Sequence, residues 1–374
     1  MSIDPNLPIR RRAVHFDLVR FIATFAVVQL HIATPWLWRE SDTQSAFWIV
    51  CLMFDTIGRA GVPIFLMISG ALLLSHNEPY TDFFRKRFTR VFVPLFFWTI
   101  VYEVHVVLQS YYHIAPEDRQ GLWSYLQHTE LWWHQVLRNP FVGAVYDHLW
   151  FLYMIIGMYL VTPLLRKLVP VLSRTDQWYL LALWVFSDVV LPLAYNYWDF
   201  SLGFNIPIVT PYLGFYLMGY YLMHYQFSKK QIRFTWIVFV VSYIANVIFA
   251  WYDSDVHDKM QVFWLSHHRP GIFIMAGSAF ILLEHYAMHA FRNFSERKYK
   301  ILAYMGGTTF GIYLLHPLII EAFEGIFMGV IGIYPPAIHV VPFITIPVAA
   351  IIVTAITMGI VTLMQRTPVL RKFV

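Results

Sequence analysis

Residues Asp17 to His31 read DLVRFIATFAVVQLH, inside an apolar run from Val14 to about Leu37. The run exceeds the roughly 20 residues that an α-helix needs to cross the hydrocarbon core. It reads as a transmembrane helix, yet it holds an acid, an arginine and a histidine. Such groups are costly in lipid, and their presence points by default to function. Arg20 and His31 lie eleven residues apart, about 1100° of helical rotation and within about 20° of three full turns. Both project from one face, about 16 Å apart along the axis, with Asp17 displaced by about 40° on the same stripe. Snorkelling to headgroups and pairing with Asp17 would account for Arg20. Neither accounts for His31.

The rest of the chain extends that pattern. Of its 374 residues, 58% are hydrophobic and 13% charged. A soluble domain carries about 25% charged residues, so the expected fold is an all-α polytopic membrane protein. Aromatic residues reach 18%, with Trp and Tyr near segment ends as in an interfacial belt. At about 20 residues per span, ten segments are expected, near 14–37, 46–75, 88–111, 148–169, 177–197, 207–225, 233–252, 269–290, 302–324 and 337–364. The second holds Gly58, Gly61 and Pro63 and reads as one kinked helix or as a re-entrant piece followed by a helix.

Ten crossings put both termini on one side. With the N-terminus cytoplasmic, 20 of the 27 Lys and Arg fall in inside segments. Arg39, Arg119, Arg138, Lys259 and Arg269 fall outside, and Arg20 and Arg59 lie within spans. That positive-inside bias explains the net charge of +5 with no nucleic acid as partner. The run after Arg10–Arg12 is too long for a secretory signal, which leaves residues 1–13 as a cytoplasmic tail. Residues 1–374 read as a single integral membrane domain without a repeat or an appended soluble domain. A long outer loop at 112–147 carries Trp, Leu and Tyr at helical spacing, as an interfacial helix would. Cys51, the sole cysteine, allows neither an internal disulfide nor a thiol-based metal cluster.

Several further polar groups stand in or beside the spans. In FFRKRFTR, Arg87 and Arg90 are i,i+3 and neighbours on a helix surface. Guanidinium forks at that spacing match phosphate oxygens, although a positive-inside stop would also place them there. Arg59, near mid-membrane, needs an acid such as Asp55, Glu103 or Glu321, or an anionic ligand. His148 and Trp150 open the fourth span at the outer face. His316 stands in the outer half of the ninth, ahead of Pro317, which frees a backbone carbonyl behind it. Each histidine is either a packing group or a site group. No two of His31, His148 and His316 have metal-ligand spacing on one helix, so no metal is expected.

Taken together these motifs resemble the acyltransferase family 3 membrane proteins. The chain shows the Arg-x10-His pair (Arg20, His31), the G-V-P-x-F-x-x-x-S-G segment (Gly61 to Gly70) and R-x-x-R (Arg87, Arg90). It also shows H-L-W-F-L (His148 to Leu152) and Y-L-L-H-P (Tyr313 to Pro317), all in the family's order. The plan is similar to stand-alone members that O-acetylate polysaccharides or lipid-linked glycans, without the SGNH-type hydrolase domain that some relatives append.

The resemblance implies an O-acyltransferase in a bacterial cytoplasmic (inner) membrane. Its donor would be cytoplasmic acyl-CoA, with acetyl-CoA the expected co-substrate. Its acceptor would be a hydroxyl of a cell-surface or lipid-linked glycan. On that expectation Arg87 and Arg90, helped by Arg20, hold the coenzyme A phosphates. His31 acts as base or accepts the acyl group, Asp17 orients or neutralises Arg20, and Arg59 stabilises the oxyanion. His148, Trp150 and His316 would face the sugar. The rival classes are a multi-pass secondary transporter and a glycan flippase or polymerase. The former usually shows repeat symmetry, which this chain lacks, and neither explains the inner-face arginine pair.

Overall fold

The computed structural model describes residues 9–113, 138, 141–143, 145–203, 211–291, 294–329 and 341–374. Most of the expected outer loop at 112–147 lies outside the described residues. Helices dominate and no strand occurs among the described residues. An apolar backbone in lipid must satisfy its own N–H and C=O groups, and a helix does so within one segment.

The helices are α1 (Ile9–Arg39), α2 (Ala46–Gly58), α3 (Gly61–Leu73), α4 (Tyr80–Arg87), α5 (Val93–His113), α6 (Trp150–Leu168) and α7 (Arg174–Val185). They continue as α8 (Leu191–Trp198), α9 (Leu213–Met223), α10 (Lys229–Val256), α11 (Pro270–Phe291), α12 (Glu296–Gly329) and α13 (Pro342–Arg366). Wide π turns, Phe88–Phe92 and Phe186–Val190, join α4 to α5 and α7 to α8. Each precedes a proline, Pro94 or Pro192, whose missing N–H and bulky ring disturb the regular ladder. Joined in this way, eight stretches of the described residues are long and apolar enough to cross a membrane. Of the other two expected spans, one is the shorter apolar helix α9. The other is α12, long but diluted by Thr308, Thr309, His316 and Glu321.

The alternatives left open for 46–75 resolve into two helices in one stretch. Ser45 caps α2 by accepting the Trp48 N–H at 3.1 Å. Arg59 and Ala60 interrupt the helix, although both keep right-handed backbone angles. Pro63 explains the interruption, because it has no N–H to give the Arg59 carbonyl.

Contacts within the chain define two compact units, Met1–His76 with Arg166–Thr362, and Asn77–Leu165 with Leu363–Val374. In the first, α1 packs against α2, α3, α11 and α12. Trp36, Leu37, Trp48, Cys51, Leu52 and Ile312 belong to its core, and the Trp48 indole N–H is satisfied by the Leu37 carbonyl at 3.2 Å. Helices α3 and α9 cross backbone to backbone. A side chain on Gly70 would land on the Tyr216 carbonyl, and one on Gly219 on the Met67 carbonyl. Small residues are what permits such approach between helices in lipid. Apolar residues at the surface of α10, among them Phe234, Ile237, Val241 and Ile248, form the face that hydrocarbon would cover.

In the second unit the chain's last residues fold back on α5. The Trp98 indole donates to the Phe373 carbonyl at 2.8 Å, and Phe97 stacks on Phe373 at 4.2 Å.

Candidate functional site

The first unit holds Asp17, Arg20, His31, Arg59 and His316; the second holds Arg87, Arg90, His148 and Trp150. At one end of the α1 stripe, Arg20 Nη1 donates to Asp17 Oδ1 at 3.0 Å. The pair is partly exposed, with 29% of the arginine and 18% of the aspartate side chain accessible. Gly306 of α12 lies against Asp17 so closely that a Cβ there would overlap the aspartate side chain. Asp17 and Arg20 are therefore ion-paired, and the lack of a side chain at Gly306 is what lets α12 approach the acid.

Three turns further along α1, His31 Nδ1 lies 2.8 Å from the Val27 carbonyl and 3.2 Å from His316 Nε2. The two rings meet edge to face, 4.8 Å between centroids. His316 is fully buried, and its Nδ1 lies 2.8 Å from the Tyr313 carbonyl and 3.1 Å from that of Ile312. Sequence grouped His316 with the sugar-facing residues; the fold sets it beside His31. Residues 285 positions apart meet here because α12 packs along α1.

One turn beyond His31, Thr34 donates to Asp55 Oδ1 at 2.5 Å. Arg59 reaches back one turn of α2 and grips the same carboxylate with both prongs, Nε to Oδ2 at 2.9 Å and Nη2 to Oδ1 at 3.1 Å. Of the three acids weighed for Arg59, Asp55 is the one it holds, and that carboxylate is wholly buried. A buried carboxylate with a bidentate partner and a third donor is satisfied as such groups must be. Elsewhere in the same unit, Tyr212 Oη lies 3.5 Å from His267 Nδ1. Sequence reasoning passed over Thr34, Tyr212 and His267. The one signal available was Thr34, three residues after His31 and hence its neighbour on the helix surface.

In the second unit, Arg87 closes α4 and Arg90 stands inside the wide turn that follows. The turn's extra residue alters the regular i,i+3 projection expected of the two arginines. Arg90 is exposed. Arg87 is mostly buried, lies over the Phe83 ring at 5.2 Å and pairs with Glu78 at 3.4 Å. Glu78 also binds Lys86 at 2.8 Å. The cluster is thus partly neutralised from within by an acid that the sequence reading did not single out. His148 is buried against Tyr102 and Tyr146, with ring centroids 4.9 and 5.6 Å away. Trp150 begins α6 and is half-buried.

Chemically, the first unit offers an imidazole braced by a second imidazole, together with two arginines each held by an acid. The second offers a basic helix end and a packed cluster of aromatic rings around His148. Neither the curated proteins nor the solved structures contain a match to the chain. The acyltransferase domain of family 3 matches residues 14–364, nearly the whole length, so the chain belongs to that family and is a membrane acyltransferase.

Proposed function

We propose that this protein moves an acetyl group from cytoplasmic acetyl-CoA to a hydroxyl of a cell-surface or lipid-linked glycan, within a bacterial cytoplasmic membrane and with both termini cytoplasmic. The observation that carries the reading is His31. It sits on a membrane helix of a family 3 acyltransferase, ringed by hydrogen-bonding groups and on the stripe that also bears the Asp17–Arg20 pair.

In this reading Arg87 and Arg90, with Arg20, hold the nucleotide phosphates of the donor, the bidentate task to which guanidinium is suited. His31 removes the proton of the acceptor hydroxyl as its oxygen attacks the thioester carbonyl. The new bond joins acceptor oxygen to acyl carbon, the carbon–sulfur bond breaks, and the proton passes from His31 to the departing thiolate. Arg59, its orientation fixed by Asp55, offers positive charge to the oxyanion that forms between those events. Trp150, half-buried at the start of α6, receives the sugar, with His148 packed behind it.

The test uses labelled acetyl-CoA and native membrane vesicles. His31→Ala is expected to abolish transfer of label to glycan while acetyl-CoA binding persists. Arg87→Ala is expected to weaken acetyl-CoA binding and leave the acceptor's apparent KM largely unchanged. Near-normal transfer by His31→Ala would refute the mechanism. A transporter or flippase would neither bind nor cleave acetyl-CoA.

A further inference from the structure

We infer that His316 is a positioning residue: with Pro317 it fixes the proton of His31 on Nδ1 and so makes Nε2 the nitrogen that takes the acceptor's proton. The inference rests on the acyl-transfer reading of His31.

It starts from a backbone carbonyl. In a regular helix the Tyr313 carbonyl would accept from the N–H of residue 317. Residue 317 is proline, which has no N–H. A buried carbonyl without a donor is costly, and at that carbonyl, 2.8 Å away, lies His316 Nδ1. The Ile312 carbonyl is the second neighbour of the same nitrogen, at 3.1 Å. Carbonyl oxygens only accept, so Nδ1 of His316 carries its proton. The side chain replaces the donor that the following proline removes.

The consequence passes to the other ring. His316 is wholly buried. As a neutral ring protonated on Nδ1, it presents a lone pair at Nε2. That lone pair faces His31 Nδ1 at 3.2 Å, and His31 Nδ1 also faces the Val27 carbonyl at 2.8 Å. Two acceptors converge on one nitrogen, which must then be the donor. The reverse assignment, a protonated His316 Nε2 giving to a bare His31 Nδ1, would set that bare nitrogen against the Val27 carbonyl, lone pair to lone pair. Neutral His31 therefore holds its proton on Nδ1, leaving Nε2 basic. A contact between Nδ1 and the carbonyl four residues back also occurs at His76, His224, His257 and His289. At His31 it is joined by a contact from a second helix, and the two together decide the tautomer.

The role differs from sugar binding. A wholly buried ring whose two nitrogens are both engaged by protein groups acts through His31 and not on the acceptor. Its loss should lower kcat and spare the apparent KM of the acceptor, the opposite of what loss of a sugar contact would do.

Two measurements test this. The first is nitrogen NMR of the wild-type protein labelled with 15N-histidine, with His31→Gln used to assign the signal. At a pH where His31 is neutral, the expected spectrum shows Nδ1 protonated and Nε2 bare; the opposite tautomer overturns the inference. The second is transfer from labelled acetyl-CoA in native vesicles. His316→Ala is expected to lower kcat about 100-fold, the lower end of what a positioned base contributes, with apparent KM values within about twofold. His316→Gln, whose side-chain carbonyl can accept from His31 Nδ1, is expected to regain most of that loss. A His316→Ala enzyme with kcat within about twofold of wild type overturns the inference. Should His316→Ala fail to fold, the wild-type spectrum still decides. Full activity in His31→Ala would instead strike the acyl-transfer reading and leave the spectrum to judge the tautomer alone.

Discussion

The Asp55–Arg59 pair permits a worked prediction, because structural and chemical roles separate in one set of variants. Asp55 is wholly buried and Arg59 has 19% of its side chain exposed. Replacing Asp55 by Ala removes two charge-assisted hydrogen bonds, at 2.9 and 3.1 Å, and one of the two acceptors of Thr34, the other being the Leu30 carbonyl. Stripping one partner from a buried ion pair costs about 3–5 kcal/mol. The partial exposure of Arg59 lets its charge find some relief and puts Asp55→Ala near about 3 kcal/mol. That is roughly a 100-fold change in the folded-to-unfolded ratio.

Arg59→Met alone leaves a buried carboxylate that still accepts from Thr34, so its loss should be smaller. In Asp55→Leu/Arg59→Met both charges are gone and apolar groups fill the space, a change that is often neutral or stabilising. The assay is denaturant unfolding of the purified protein in micelles, followed by tryptophan fluorescence and read as a double-mutant cycle. Coupling below about 0.5 kcal/mol, or an Asp55→Ala protein as stable as wild type, would refute the reasoning. Activity then addresses the second question. If Arg59 supplies charge to the oxyanion, the stable double variant transfers no acetyl group; if it does transfer, the pair is structural only.

Three other outcomes follow from the geometry. Glu78→Gln should tighten acetyl-CoA binding, since Glu78 competes with phosphate for Lys86 and Arg87, while Arg87→Ala should raise its Kd about tenfold or more; calorimetry with acetyl-CoA reads both, and an unchanged Kd in each would remove this cluster from the donor site. Gly219→Ala should destabilise the protein by about 2 kcal/mol, because its methyl group meets the Met67 backbone and α3 and α9 must part; a melting curve superimposable on wild type would contradict that. Trp98→Phe keeps the ring but loses the hydrogen bond to the Phe373 carbonyl, worth about 1 kcal/mol, and should expose residues 370–374 to faster proteolysis, which mass spectrometry of timed digests would detect.

Much of this architecture was legible because lipid leaves the backbone few options. Apolar length placed ten segments, and among the described residues eight of them coincide with helices, or joined pairs of helices, long and apolar enough to cross a membrane. Helical phase alone put Arg20, Asp17 and His31 on one stripe, and the Asp17–Arg20 pair is present. Partner choice was legible only in part. Asp55 stands at i,i+4 from Arg59, the spacing that pairs charges along one helix and that favours it over Glu103 or Glu321; the further grip of Thr34 on the same carboxylate depends on α1 lying beside α2. Glu78 escaped notice because it lies before α4 and reaches its basic partners only when the chain turns. The pairing of His31 with His316 needed α12 beside α1. Even so, the His-Pro dipeptide already announced a carbonyl in want of a donor.

The crossing of α3 and α9 has a mechanical consequence. With Gly70 seated on one backbone and Gly219 on the other, there is no layer of side chains to shear, so the two helices form a single strut. Any rearrangement during turnover must carry them together, and whatever opens to admit a donor or release a product must hinge elsewhere.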